Sequence, residues 1–145
     1  MAPNANNKKS QNANTTPVVV GQHNDPPHLK PFKQRRSFEA RKLEVENIRR
    51  KFPTKIPVVV ERYQREAHLP VMNKTKFLVP QELTIMNFAI IIKNRLRIPT
   101  SRAFYFVINN QSMASTSKTV AEIYKEHKDD DGFLYMTYAS QEMFG

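Results

Sequence analysis

The chain has no cysteine and no tryptophan, and only three of its 145 residues are glycine. Without thiols there is no disulfide framework, no thiolate metal site and no cysteine nucleophile, which suits a reducing cytoplasm. So few glycines cannot build a glycine-rich phosphate-binding loop. No apolar run reaches the roughly 18 residues that mark a membrane-spanning helix. The N-terminal stretch lacks a charged segment leading into an apolar one, so it does not read as a secretory signal. The Asn-x-Ser/Thr triplets at Asn14, Asn73 and Asn110 are then chance. Acids are scarce too: 13 Asp and Glu against 23 Lys and Arg give a formal net charge of +10. The excess lies in residues 32–97, where 16 bases meet 6 acids. A surface of that sign suits acidic partners: nucleic acid, anionic lipid or acidic peptides. The histidines at 23, 28, 68 and 127 have neither metal-ligand nor triad spacing. No catalytic residue, metal site or enzymatic activity is expected.

What is present changes abruptly along the chain. Residues 1–29 carry Asn4, Asn6, Asn7, Asn12 and Asn14 among scattered Pro and Thr, and read as a disordered Asn/Pro-rich arm with one apolar patch, Val18 to Val20. Residues 30–53 read as an N-terminal helical subdomain. Ser37 is a good N-cap, and Phe38, Val45, Ile48 and Phe52 form an apolar stripe that leaves Arg41, Lys42, Arg49 and Arg50 to solvent. Pro53 closes that helix. Strands follow at Ile56 to Arg62 and Lys76 to Pro80, then a helix over 84–97 capped by Thr84. Phe104 to Ile108 is a strand turning at Asn109 and Asn110. Thr119 and Glu122 match a capping box, and Asp129 to Gly132 form a turn into a last strand from Phe133. The contiguous acids lack the spacing of a calcium loop. This order predicts an α+β fold of ubiquitin-like β-grasp type: a four-stranded mixed sheet over 54–139, a crossing helix, and the N-terminal helix on the other face. Residues 140–145 read as a flexible tail.

Four segments carry a resemblance: FKQRRSF from Phe32, PTKIPV from Pro53, KTKFLVP from Lys74 and DGFLYMTYASQEMFG from Asp131. They closely resemble the autophagy ubiquitin-like modifiers, within them the microtubule-associated-protein light-chain branch, from about Lys30 to Gly145. The resemblance implies a modifier whose Gly145 is exposed by a cysteine protease that recognises Phe144. Activating and carrier enzymes then pass it to phosphatidylethanolamine on autophagosomal membrane. It implies no cofactor besides that covalent lipid, and a cytoplasmic protein that moves to the membrane when lipidated. Glycine suits the chemistry, because without a Cβ its carboxyl carbon is open to close approach. Fully extended, Ser140 to Gly145 would reach roughly 20 Å.

The resemblance further implies docking of cargo-receptor motifs of the form aromatic–x–x–aliphatic. Carried over, the aromatic pocket comprises Glu44, Ile48, Pro57, Val59, Lys76, Leu78 and Phe133. The aliphatic pocket comprises Phe77, Val79, Pro80, Phe88, Ile91 and Arg95. Strand alternation agrees with this division, since Lys76 and Leu78 face one side and Phe77 and Val79 the other. A peptide added as a strand would drop residues i and i+3 on opposite sides. Taken singly, Val59 and Ile91 weigh towards core, and Leu78 and Phe77 towards pockets. Lys33, Arg35, Arg36, Lys55 and Lys74 would attract flanking acids. The chain departs from the family pattern at Phe88, bulkier than the usual leucine and expected to make the aliphatic pocket shallower, and at Asn94. Two other readings compete. Acidic tubulin surfaces could engage Lys33, Arg35, Arg36, Arg41 and Lys42. RNA binding is disfavoured because aromatics do not interleave with the bases.

Overall fold

The computed structural model describes residues 19–20, 30–113 and 117–140. A two-residue strand, β1 (Val19–Val20), comes first. Pro31 opens a single turn, α1 (Phe32–Arg35). Ser37 then caps α2 (Phe38–Lys51), its Oγ accepting from the Ala40 N–H at 3.1 Å. β2 (Lys55–Arg62) and β3 (Lys76–Pro80) pair antiparallel, with Pro57 opposite Leu78. Thr84 caps α3 (Ile85–Arg95) by accepting from the Asn87 N–H. β4 (Tyr105–Ile108) doubles back through Asn109 and Asn110 into β5 (Gln111–Met113). Both asparagines have positive φ, which makes the turn whose twist matches a hairpin. α4 (Val120–His127) opens with the reciprocal Thr119–Glu122 box read from the sequence. β6 (Leu134–Ala139) follows.

The strands lie in the order β1-β3-β2-β6-β4-β5. β2 and β6 pair in parallel at the centre, and the other neighbours are antiparallel. Alternation sends Ile56, Val58 and Val60 to the face where Phe88 and Ile92 of α3 and Ile123 of α4 complete the main core. Val59 points the other way, into a smaller cluster with Phe32, Val45 and Phe133. The Phe32 and Phe133 rings meet edge to face with centroids 5.3 Å apart. The fold is therefore the ubiquitin-like α+β arrangement, with α3 on one face and the N-terminal helices on the other.

Several particulars differ from expectation. β5 joins the sheet because the Asn109–Asn110 turn is tight enough to continue pairing, and β1 joins at the opposite rim. Val19 and Val20 thus have strand structure within an arm read as disordered, whose other residues up to Leu29 lie outside the described residues. The α2 stripe is also displaced. Phe38 and Phe52 are 40% and 45% exposed, whereas Arg41, expected in solvent, is only 7% exposed. Arg41 turns towards the sheet because its guanidinium donates to the buried Asp131 carboxylate and to the Tyr135 hydroxyl.

Candidate docking rim and base of the tail

β3 lies near one rim of the sheet, and its side chains separate by face. Lys76 reaches towards α2, donating to Glu44 Oε2 at 2.7 Å with its ammonium 5.5 Å from the Phe32 ring centre. Phe77 and Val79 point to α3, and both are buried. Phe77 meets Phe88 edge to face at 6.1 Å, and the Arg95 guanidinium lies 5.4 Å from its ring centre. Partial burial there lowers the Arg95 pKa. Phe77 is therefore core rather than an open pocket wall, because α3 packs directly on it. Phe88 belongs to the core as well, stacked on Phe106 at 5.5 Å. Its extra bulk goes inward and does not make a pocket shallower.

The remaining assigned residues divide by depth. On the α2 side Glu44, Ile48, Lys76 and Leu78 keep partial exposure, while Pro57, Val59 and Phe133 are buried. On the α3 side Ile91 is partly exposed and Arg95 is exposed, whereas Pro80, assigned to the aliphatic pocket, is partly exposed and by strand alternation shares the face of Lys76 and Leu78. Glu44 has a further property: its Oε1 is buried and accepts no hydrogen bond, with Arg36 Nη1 3.7 Å away. A buried carboxylate oxygen in that state favours an incoming N–H or O–H donor. The basic residues assigned to acidic flanks are unequal. Lys33 pairs with Asp129 and lies 4.9 Å from the Tyr135 ring centre. Arg35 Nε donates to the Lys30 carbonyl at 2.7 Å. Among the described residues Lys55 and Lys74 stand in no ion pair. With Lys33, Arg36 and Arg41 engaged internally, fewer cations remain for an acidic tubulin surface.

The base of the C-terminal tail is tied by a residue that sequence reading missed. Glu66 is 6% exposed. Its Oε1 accepts from the Ser140 N–H at 2.7 Å, and both of its oxygens accept from the Ser140 hydroxyl. Oε2 also accepts from the backbone N–H groups of His68 and Leu69. Burial alone raises the Glu66 pKa, but these donors outweigh it and hold the carboxyl below its ordinary value. Ser140, assigned to the flexible tail, is thus an anchor, and Phe144 and Gly145 lie outside the described residues. Tyr138 adds a second tie by donating to the Pro70 carbonyl at 2.6 Å, and burial pushes its phenol up to about 12. A separate cleft of about 750 Å³ involves Lys30, Arg62, Tyr63, Thr75 and Tyr135, and shares only Arg35 with the residues assigned to docking.

A ubiquitin-like sheet with helices on both faces and a tethered C-terminal strand has known counterparts. A family model described as "Autophagy protein Atg8 ubiquitin like" matches residues 40–145. The chain belongs to the Atg8 family. It is 60% identical over 119 residues to human "Microtubule-associated protein 1 light chain 3 gamma", covering 82% of this chain and 81% of that protein. It is 42% identical over 114 residues to "Protein lgg-2" of Caenorhabditis elegans, covering 79% and 88%. The crystal structure of Trypanosoma brucei ATG8 superposes with a TM-score of 0.72 at 30% identity, covering 81% of this chain and 99% of that one. These similarities agree with the light-chain branch and with a role as an autophagy ubiquitin-like modifier. The Atg8 match begins inside α2, so α1 and β1 precede it. No described helix is long and apolar enough to cross a membrane.

Proposed function

We propose that this Atg8-family chain is joined through the Gly145 carboxylate to the amine of phosphatidylethanolamine on autophagosomal membranes, where it recruits receptors carrying aromatic–x–x–aliphatic motifs. It is a modifier and not an enzyme, and the covalent lipid is its one non-protein group. A cysteine protease exposes the glycine, and activating and carrier enzymes hold it as a thioester. The lipid amine attacks the thioester carbonyl, the carrier thiolate leaves, and the amine loses a proton as the amide forms. The free form is cytoplasmic and the conjugate sits on the autophagosome.

One observation carries the docking part: β3 holds partly exposed Lys76 and Leu78 on one face, opposite a face bordered by Ile91 and Arg95 of α3. An extended peptide paired along β3 presents residues i and i+3 to the two sides, and Glu44 Oε1 offers an acceptor to an indole or phenol donor. Lys55 and Lys74 favour acids beside the motif. In a reconstituted reaction with phosphatidylethanolamine liposomes, the parent forms adduct and Gly145→Ala does not; equal adduct overturns the conjugation reading. For docking, Leu78→Ala and Ile91→Ala should each weaken an acidic-flanked Trp-x-x-Leu peptide by about tenfold. Unchanged affinity in both rules out this rim.

A further inference from the structure

The rim on which that peptide would add is already paired. β1 runs antiparallel to β3, with Val19 opposite Leu78 and Val20 opposite Phe77. β3 has two hydrogen-bonding edges, and its inner one is taken by β2. The outer edge is the one open to β-strand addition, and its N–H and C=O groups can bond one strand at a time. We infer that the Val19–Val20 segment is a ligand in cis that closes the docking edge, so that a partner's extended motif binds only by displacing it. This rests on the docking reading above and adds its regulation.

The sequence around β1 suits a displaceable occupant. Val18 to Val20 is a β-branched run bounded by Pro17 and Gly21, a pattern that favours a short extended piece. Two paired residues make a weak ladder on their own. Tethering to the same chain raises the local concentration of the segment to the order of millimolar, enough to populate it. Residues 1–31 contain no aromatic residue and a single acid, Asp25. The segment therefore satisfies the β3 backbone without an aromatic anchor, and without acids to engage Lys55 and Lys74. An acidic-flanked aromatic motif brings both and displaces it. Closure weakens every motif by the same factor, so the weakest ligands fall below useful occupancy first.

The test compares the full chain with its Val19→Pro/Val20→Pro double variant, which lacks the two N–H donors. An acidic-flanked Trp-x-x-Leu peptide is titrated into each, with the peptide's indole as the only tryptophan fluorophore. The variant is expected to bind roughly three- to tenfold more tightly, with an unchanged urea midpoint because a two-residue edge pairing adds little to global stability. In the parent, one of the Phe77 and Leu78 amides should exchange more slowly than in the variant. Equal or weaker affinity in the variant overturns the cis ligand and leaves docking intact. Binding to neither protein overturns the docking reading, and this inference with it. An affinity ratio that grows with protein concentration overturns closure within one chain, since the segment then comes from a second copy.

Discussion

Arg41 and Asp131 are 90 residues apart in the chain, yet each is the other's main compensation for burial. Asp131 also accepts from the Phe133 N–H at 2.8 Å and from the Tyr135 hydroxyl at 2.5 Å. Burial, with the Asp131 charge added to it, drives the Tyr135 phenol far above its ordinary range, so it stays a neutral donor. Removing one member leaves the other charged and dry. Asp131→Ala should therefore cost about 3–5 kcal/mol, read as a lower urea midpoint. Lys33→Ala, which breaks an ion pair whose lysine side chain is 49% exposed, should cost less than about 1 kcal/mol in the same assay. Next to Asp131, Gly132 sits at φ 95°, and a Cβ there would meet Val45 Cγ1 at 2.6 Å. The Asp-Gly turn is thus required both by backbone angle and by the close approach of α2.

At the scale of elements, helix caps and strand ends bear different loads. The Thr119 box supplies two of the orphan donors of α4, so Thr119→Ala should cost about 0.5–2 kcal/mol of stability by thermal unfolding. The Glu66 tie joins the loop after β2 to the end of β6. Its carboxyl is depressed in the folded chain, so its contribution is fully present above the ordinary value of 4.5. It is lost as the pH falls through the lower, folded value. The Ser140 amide should stay protected near neutrality and exchange faster in acid, followed as exchange corrected for its intrinsic pH dependence. Glu66→Ala should show that loss at neutral pH, and should slow conjugation if a fixed tail base helps present Gly145. The caps at Ser37, Thr84 and Thr119 were legible because a cap and its partner lie within three residues. Glu66 was not, because its partner Ser140 is 74 residues away.

For the whole molecule, a formal charge of +10 steers acidic ligands from beyond contact distance. The association rate of an acidic-flanked peptide should fall by about tenfold between low and half-molar salt, while its dissociation rate changes little. Stopped-flow mixing separates the two rates. The sequence by itself determined the order of the longer elements, the ubiquitin-like class and the division of β3 into two faces, because period and capping act over a few neighbouring residues; the short β1 and β5 and the single turn α1 were not among them. It also carried the family resemblance, since the matching words are continuous. Only the tertiary structure decided that Arg41 is buried and that Phe38 and Phe52 remain exposed, because these outcomes depend on what the sheet presents to α2. It alone decided that Phe77 and Phe88 belong to the core, since α3 must be laid across β3 before either is covered. The pairing of Val19–Val20 with the docking rim is of the same kind: a β-branched run favours extension, but the edge it meets is set by the closed fold.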